Sequence, residues 1–269
     1  MLLLAVPLGL AIGLSLGALG GGGSILTVPA LVYVLGQDPR TATTSSLVIV
    51  GLTSLIALVP HARARRVRFG QGLLFGALGT AGSIAGTALS AAVDPNVLLT
   101  AFAALMLVVA TLMLRRSRRT GPATAAGDPT AEPMLTLRPF SCSCPKVLKV
   151  IVTATAVGLL TGFFGVGGGF ALVPALVLAL GFPMPVAVGT SLLVIVVNSA
   201  TALAARVSSS GGQLDWTLIG VFTAAATVGS LLGSRLMARL HPRHLTRAFA
   251  VLLVAVALYT AARAIPMLG

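Results

Sequence analysis

Apolar residues along the chain form long runs that are separated by polar intervals. The runs fall at about 2–18, 24–36, 41–60, 70–92 and 96–114, and then at about 147–164, 170–181, 185–205, 215–238 and 245–264. A helix needs about 20 apolar residues to cross a bilayer, and the last three runs of each half approach or reach that length. The pattern predicts an all-α polytopic membrane protein with three transmembrane helices in each half.

The first two runs of each half are shorter, and a glycine cluster separates them. Gly20 to Gly23 interrupt the first half, and Gly165 together with Gly167 to Gly169 interrupt the second half at a constant offset. Each glycine costs a helix interior about 1 kcal/mol relative to alanine, so a cluster breaks the helix. Each pair of short runs predicts a re-entrant helical hairpin, and two short, tilted crossings also fit the lengths. The helices after the breaks are expected to begin at Ser24 and Gly169.

The two halves repeat one another beyond the glycines. Both clusters continue into Val-Pro-Ala-Leu-Val, and later matches pair Thr44–Leu47 with Gly189–Leu192, Thr53 with Asn198, and Gly82–Gly86 with Gly229–Gly233. The chain is therefore interpreted as a duplication, with a first membrane repeat at 1–114 and a second at 147–269. The segment between them, 115–146, is rich in proline and small polar residues and is predicted to be a flexible cytoplasmic linker.

Composition and charge determine the expected surroundings and orientation. Of the 269 residues, 57% are hydrophobic and 9% are charged, whereas soluble domains carry about 25% charged residues. The net charge of +13 comes from arginines in short loops beside apolar runs, so membrane orientation explains it better than a nucleic-acid partner. The basic loops at 61–68 and 239–247 match nearly neutral or acidic loops of the other half. The positive-inside rule then predicts inverted-topology repeats in the cytoplasmic membrane, with both termini outside.

Ionisable side chains are expected outside the membrane spans. The five acidic residues are assigned to loops or span ends: Asp38, Asp94, Asp128, Glu132 and Asp215. The three histidines are assigned to loops: His61, His241 and His244. A proton relay at mid-membrane is therefore not predicted. Neither a catalytic pair nor a metal cluster is recognisable in the spans, so no enzyme, metal or other cofactor is expected.

A small anion would then be held by backbone N–H groups at helix N-termini and by hydroxyl or amide groups. The candidate substrate-binding residues lie in the two breaks and in the run that follows each: Gly22, Gly23, Ser24, Thr27, Ser45, Ser46, Thr53, Gly167, Gly168, Gly169, Thr190, Ser191 and Asn198. For each hydroxyl, the alternative is a hydrogen bond to its own helix or a bridge between helices.

Other glycines are spaced four residues apart and are assigned to close helix packing. They are Gly9, Gly13 and Gly17, Gly82 and Gly86, Gly158 and Gly162, and Gly229 and Gly233.

The doubled motif resembles that of the TauE/SafE sulfite exporter family. The copies read Gly-x-x-Gly-Gly-Gly-Gly-Ser and Gly-x-x-Gly-Val-Gly-Gly-Gly, each followed by Val-Pro-Ala-Leu. The resemblance covers both halves and implies a secondary transporter that moves a small sulfur-containing anion, such as sulfite or sulfoacetate, commonly outward. Relatives that import thiosulfate place cysteines along the pathway; the spans here contain none, so thiosulfate uptake is not expected. The alternative function is a non-transporting membrane component of a redox or cofactor assembly pathway.

Overall fold

The structure, a computed structural model, describes residues 2–90, 95–119, 144–164, 169–207, 215–240 and 242–264. These residues form ten α-helices and contain no strand, which confirms the all-α prediction. The helices are α1 Leu2–Leu19, α2 Gly22–Pro29, α3 Pro39–Arg63, α4 Phe69–Ser90, α5 Pro95–Arg119, α6 Cys144–Phe164, α7 Gly169–Leu178, α8 Met184–Val207, α9 Trp216–Arg239 and α10 Pro242–Ala264. One π-helical turn, Ala30–Val34, continues α2.

Three of these helices are long and apolar enough to cross a membrane within the described residues. The spans are Thr41–Arg63 in α3, Met184–Ala204 in α8 and Trp216–Met237 in α9. Helices α5 and α10 contribute the shorter apolar stretches Ala101–Arg115 and His244–Tyr259. The number of spans in each half therefore stays a prediction. The flexible linker predicted at 115–146 also stays a prediction. Helix α5 continues to Arg119 and α6 begins at Cys144, and the residues between them lie outside the described part.

Glycines draw α1 and α9 into close contact. Gly13 lies against the backbone of Ala226, and Gly17 lies against the backbone of Ser230, so closely that a Cβ at either glycine would overlap it. The residue numbers rise together along both helices, so α1 and α9 run parallel. The packing role predicted for these glycines is confirmed.

The same arrangement joins α4 to α6. Gly158 lies against the backbone of Gly79, and Gly162 lies against the backbone of Ser83. These two helices also run parallel. Since α4 and α9 occupy matched places in the two halves, as do α1 and α6, each half contributes its first helix to the fourth helix of the other half.

Helices α3 and α8 are matched elements that lie against each other in opposite directions. Gly51 approaches Ser199, and Gly189 approaches His61 and Arg66. Helices α5 and α10, which are also matched, pack together as well. The most extensive helix contacts therefore come either as pairs exchanged between the halves or as a contact between two matched helices.

Matched aromatic side chains occupy the interior. Phe75 of α4 and Phe222 of α9 are fully buried, Phe249 of α10 is fully buried as well, and its match Phe102 of α5 is buried. Large apolar side chains such as Leu52 of α3 are half exposed on the outer surface, which suits contact with lipid rather than water.

Two sequence-based expectations are wrong. His61 is not a loop residue: it lies in the last turn of α3 and is 2% exposed. Pro60 ended the apolar run, but the structure accommodates this proline within the final turns of the helix. His244 likewise lies in α10, where it is exposed, and α2 begins at Gly22 rather than Ser24. Asp94 and His241 lie outside the described residues.

Candidate substrate-binding site

The first glycine break reverses the chain between α1 and α2. Gly20 has φ +70°, a left-handed conformation that favours glycine, and its N–H donates to the carbonyl of Leu16 at 2.8 Å. Gly23 then lies against Ile12 and Leu16. Helix α2 therefore folds back along α1 directly after the turn.

The break contacts the beginning of α7 in the second half. Gly21 lies so close to Gly169 that a Cβ on Gly21 would overlap the Gly169 carbonyl, and a Cβ on Gly169 would overlap the hydroxyl of Ser24. The first turns of α2 and α7 therefore lie side by side. Gly167 and Gly168, the other candidates in the second break, lie outside the described residues.

Helix α8 covers the turn at Gly20. The nearest atoms to a Cβ built on Gly20 are the Ser191 hydroxyl, the Val173 side chain and the Val188 backbone. Ser191 is fully buried, and its hydroxyl donates to the carbonyl of Val188 at 2.8 Å. Ser191 is thus the candidate of α8 that the structure brings to the first break.

The hydroxyl groups of α2 bond to their own backbone. Ser24 Oγ donates to the Gly21 carbonyl at 2.7 Å, and Thr27 Oγ1 donates to the Gly23 carbonyl at 3.0 Å. A hydroxyl has one hydrogen, so in this geometry neither group can donate to an anion without rotating. Backbone N–H groups in the first turn of a helix have no partner within that helix, which leaves them as the more direct donors.

The other hydroxyl and amide candidates occupy three different environments. Thr190 Oγ1 accepts from the N–H of Arg68 at 3.2 Å, and Asn198 Oδ1 accepts from Thr80 Oγ1 at 3.3 Å. Both side chains therefore bond to the α3–α4 loop or to α4. On α3, Ser46 donates to its own helix at the Thr43 carbonyl. The side-chain oxygens of Ser45 and Thr53 are buried and have no hydrogen-bond partner among the described residues.

Charged groups do not converge on the break. Asp38 directly precedes α3, and Asp215 caps α9 by accepting from the N–H groups of Thr217 and Leu218 at 3.1 and 3.0 Å. Within the described part of the chain, no three His, Cys, Asp or Glu side chains come together as metal ligands would. What the arrangement offers a ligand is backbone polarity in an apolar surrounding.

Comparison with known proteins determines the family. The sequence model of the sulfite exporter TauE/SafE family matches residues 5–260. The chain belongs to the TauE/SafE family. It is 36% identical to a probable membrane transporter protein of Xylella fastidiosa strain Temecula1 over 265 residues, covering 96% of this chain and 94% of the relative.

A more distant relative is the probable membrane transporter protein YunE of Bacillus subtilis, which is 28% identical over 263 residues, or 93% of each chain. No solved structure gives a significant match. The family and the relatives identify this chain as an integral membrane transporter.

Sequence reasoning missed three contributors to the candidate site. Gly20 and Gly21 form the turn and the contact with α7, but nothing in four identical adjacent glycines distinguishes them from Gly22 and Gly23. Thr80 donates a hydrogen bond to Asn198. The sequence feature that could have indicated this role is a threonine four residues after Gly76, whose carbonyl Thr80 also bonds at 2.9 Å.

Proposed function

We propose that this transporter exports a small sulfur-containing anion, either sulfite or an organosulfonate such as sulfoacetate, across the cytoplasmic membrane. The anion binds where the two glycine breaks meet, near the middle of the bilayer. The substrate class is inferred from the family, and the site is inferred from the geometry of the breaks. The chain acts as a carrier rather than an enzyme.

The observation that carries this proposal is the contact between Gly21 and Gly169. It brings together the first turns of α2 and α7, whose backbone dipoles each place about half a positive elementary charge at the N-terminal end. Two such ends at one point favour a negative ligand without any arginine or lysine. Broken helices at corresponding places in two repeats also mark the substrate sites of other secondary transporters.

The glycines at the breaks have a structural role in this proposal. Protein atoms occupy the space that a Cβ would take at Gly20, Gly21 and Gly169, so only glycine at these positions lets the first turns of α2 and α7 meet. Ser24 and Ser191 rotate from their own backbone carbonyls to donate to the bound anion. The remaining hydroxyl and amide candidates contribute to the transport pathway or to the packing around it: Ser45, Thr53, Thr190 and Asn198.

The direction of matched helices supports an inverted repeat. A pseudo-two-fold axis along the membrane normal would leave α3 and α8 parallel, whereas an axis in the membrane plane reverses one of them. Their antiparallel packing, with Gly51 beside Ser199 and Gly189 beside His61, fits the second case. The loop charges give the same result, with 61–68 and 239–247 both cytoplasmic. The helix pairs α1–α2 and α6–α7, in which α2 and α7 are short, then form the re-entrant hairpins.

Anion flux into and out of proteoliposomes tests the function. Vesicles that contain only this protein are loaded with sulfite or sulfoacetate, and efflux is followed with the membrane potential clamped. An inside-negative potential should accelerate exit, since it is worth about 2.3 kcal/mol per charge per 100 mV. If no sulfur anion moves faster than in empty vesicles, the non-transporting alternative is favoured.

A pair of glycine variants tests the site. Gly21→Leu should abolish flux, because the new side chain would fill the contact with Gly169. Gly220→Leu is the matched control: a Cβ on Gly220 of α9 meets no atom within 4 Å, so flux should be retained. Monodispersity in detergent verifies that both variants fold. A folded Gly21→Leu protein with wild-type flux would exclude the glycine breaks as the site.

A further inference from the structure

His61 is a buried ionisable group that the proposed anion site does not use. It lies in the last turn of α3 and is 2% exposed. Its Nδ1 donates to the carbonyl of Ala57 at 2.9 Å, while its Nε2 is buried without a hydrogen-bond partner among the described residues. A buried polar atom without a partner is costly and requires an explanation.

The hydrogen bond to Ala57 determines what Nε2 can do. A carbonyl oxygen only accepts, so Nδ1 must carry a hydrogen, and the neutral ring then has its lone pair on Nε2. That lone pair is the position where a proton can add. When hydronium transfers a proton to it, one O–H bond breaks, one N–H bond forms, a water molecule leaves, and the ring gains a single positive charge.

Helix α8 connects this ring to the glycine breaks. Gly189 lies against the His61 side chain, and its neighbour Val188 lies against Gly20, as does Ser191 one turn on. One turn of α8 therefore contacts His61 on one side and the break on the other. The diameter of a helix, about 10 Å, is the scale of the separation between them.

The charges around His61 are positive. Arg66, in the loop after α3, donates its N–H to the His61 carbonyl at 2.9 Å. Neither α4 nor the first two turns of α8 contain an ionisable residue. Helix α9 contributes Arg235, which is exposed, and Arg239. With no carboxylate on these elements, the negative charge that would balance an imidazolium has to come from a ligand.

We propose that His61 binds the proton that is coupled to anion binding at the glycine breaks. The imidazolium attracts the anion across α8, and the bound anion favours the imidazolium by the same factor, because binding linkage is reciprocal. At about 10 Å in a medium of effective dielectric constant near 20, one pair of unit charges changes affinity by about tenfold. This inference rests on the proposed function and names its coupling ion.

The experiment measures anion and proton binding together. Protein in lipid nanodiscs is titrated with sulfoacetate and with sulfate, two probes whose charge stays constant between about pH 5.5 and 8.5. Calorimetry in buffers of different ionisation enthalpy gives the number of protons taken up. Wild-type affinity should rise by about tenfold for each negative charge of the probe as the pH falls through the histidine range, with a fraction of a proton bound per anion.

Three variants isolate His61. His61→Gln should bind weakly at every pH and take up no proton, and His61→Arg should bind tightly at every pH. His244→Gln, which removes the exposed histidine of α10, should behave as wild type.

A wild-type protein that binds either probe without proton uptake overturns the inference, and this measurement requires no variant to fold. A folded His61→Gln protein that keeps the wild-type pH response overturns it as well. If wild type binds neither of these probes nor sulfite at any pH, the proposed function fails together with it.

Discussion

Two matched interfaces in this transporter are packed differently. Between α4 and α8, Gly72 lies against Leu193 and Gly76 lies against Val197. A hydrogen bond from Thr80 to Asn198 and a 3.5 Å contact between the hydroxyls of Thr80 and Thr201 follow along the same face. The two helices are thus joined by side chains of α8 that pack on glycines of α4 and by polar contacts, and we call this the closed interface.

The matched interface between α3 and α9 carries a surface groove instead, although the two helices pack as extensively as α4 and α8 do. The groove has a volume of about 580 Å³ and is lined by Val48, Leu52 and Ile56 of α3 and by Trp216, Ile219, Gly220, Thr223, Ala224 and Thr227 of α9. In the repeat alignment that pairs Phe75 with Phe222, the positions of Gly72 and Gly76 are occupied in α9 by Ile219 and Thr223.

Two substitutions between the predicted repeats fall at this difference. Glycine accepts a side chain of the neighbouring helix, as Gly76 accepts Val197, whereas a β-branched residue is stiff and occupies that space itself. The matched interfaces therefore differ in how side chains fill the space between the helices.

The largest expected effect follows from filling the closed interface. A Cβ on Gly76 would meet Val197 Cγ1 at 3.0 Å, so Gly76→Leu should destabilise the protein by about 3 kcal/mol, the upper range for overpacking. Thr223→Leu, at the matched position, should cost far less because the groove has room. Thermal unfolding of both variants in detergent compares them, and equal losses would mean that the interfaces do not differ in packing.

The two interfaces should also differ in their chemical accessibility, which is the next largest expected effect. With Cys142 and Cys144 replaced by serine, Leu52→Cys in the groove should react several-fold faster with a membrane-permeant maleimide than Val197→Cys. Leu52 is 46% exposed, whereas Val197 is partly covered by Gly76. Labelling rates at a fixed reagent concentration provide the measurement. Similar rates would indicate that the groove closes in the bilayer.

The polar contacts of the closed interface make a smaller contribution. Thr80→Val removes the donor to Asn198 and should cost about 0.6–1 kcal/mol, as hydrogen bonds between membrane helices do. Thr227→Val changes the matched residue of α9 and should cost less. A double-mutant cycle of Thr80→Val with Asn198→Leu measures the coupling energy. A value near zero would exclude the hydrogen bond as a source of the asymmetry.

The smallest expected effect is a gain in stability rather than a loss. Gly220→Ala adds a methyl group in open space and improves helix propensity, so it should stabilise the protein by at most about 1 kcal/mol. Gly72→Ala gains the same propensity, but its Cβ would meet Leu193 at 2.8 Å, and the gain should be lost. Unfolding curves of both variants, measured side by side, test whether only Gly220→Ala is stabilising. Stabilisation of both by the same amount would contradict the assignment of Gly72 to a tight contact.

Local sequence features predicted much of this fold. Apolar runs located the helices to within a few residues, and the glycine clusters located both breaks, because backbone entropy acts locally. The meeting of Gly21 with Gly169 could not be predicted, since it depends on how two distant segments pack. His61 was misplaced because Pro60 and the arginines after it read as a helix end, although a proline near the end of a helix can be accommodated.

The exchange of helices between the halves has a consequence for biosynthesis. The glycines of α1 face α9, which begins at Trp216, about 200 residues after α1 ends. At a translation rate of about 5–20 residues per second, α1 is made roughly 10–40 s before its partner exists. During that interval its small-residue surface must contact lipid, a membrane chaperone or another nascent helix. The first repeat therefore cannot complete its packing until the ribosome has made most of the second.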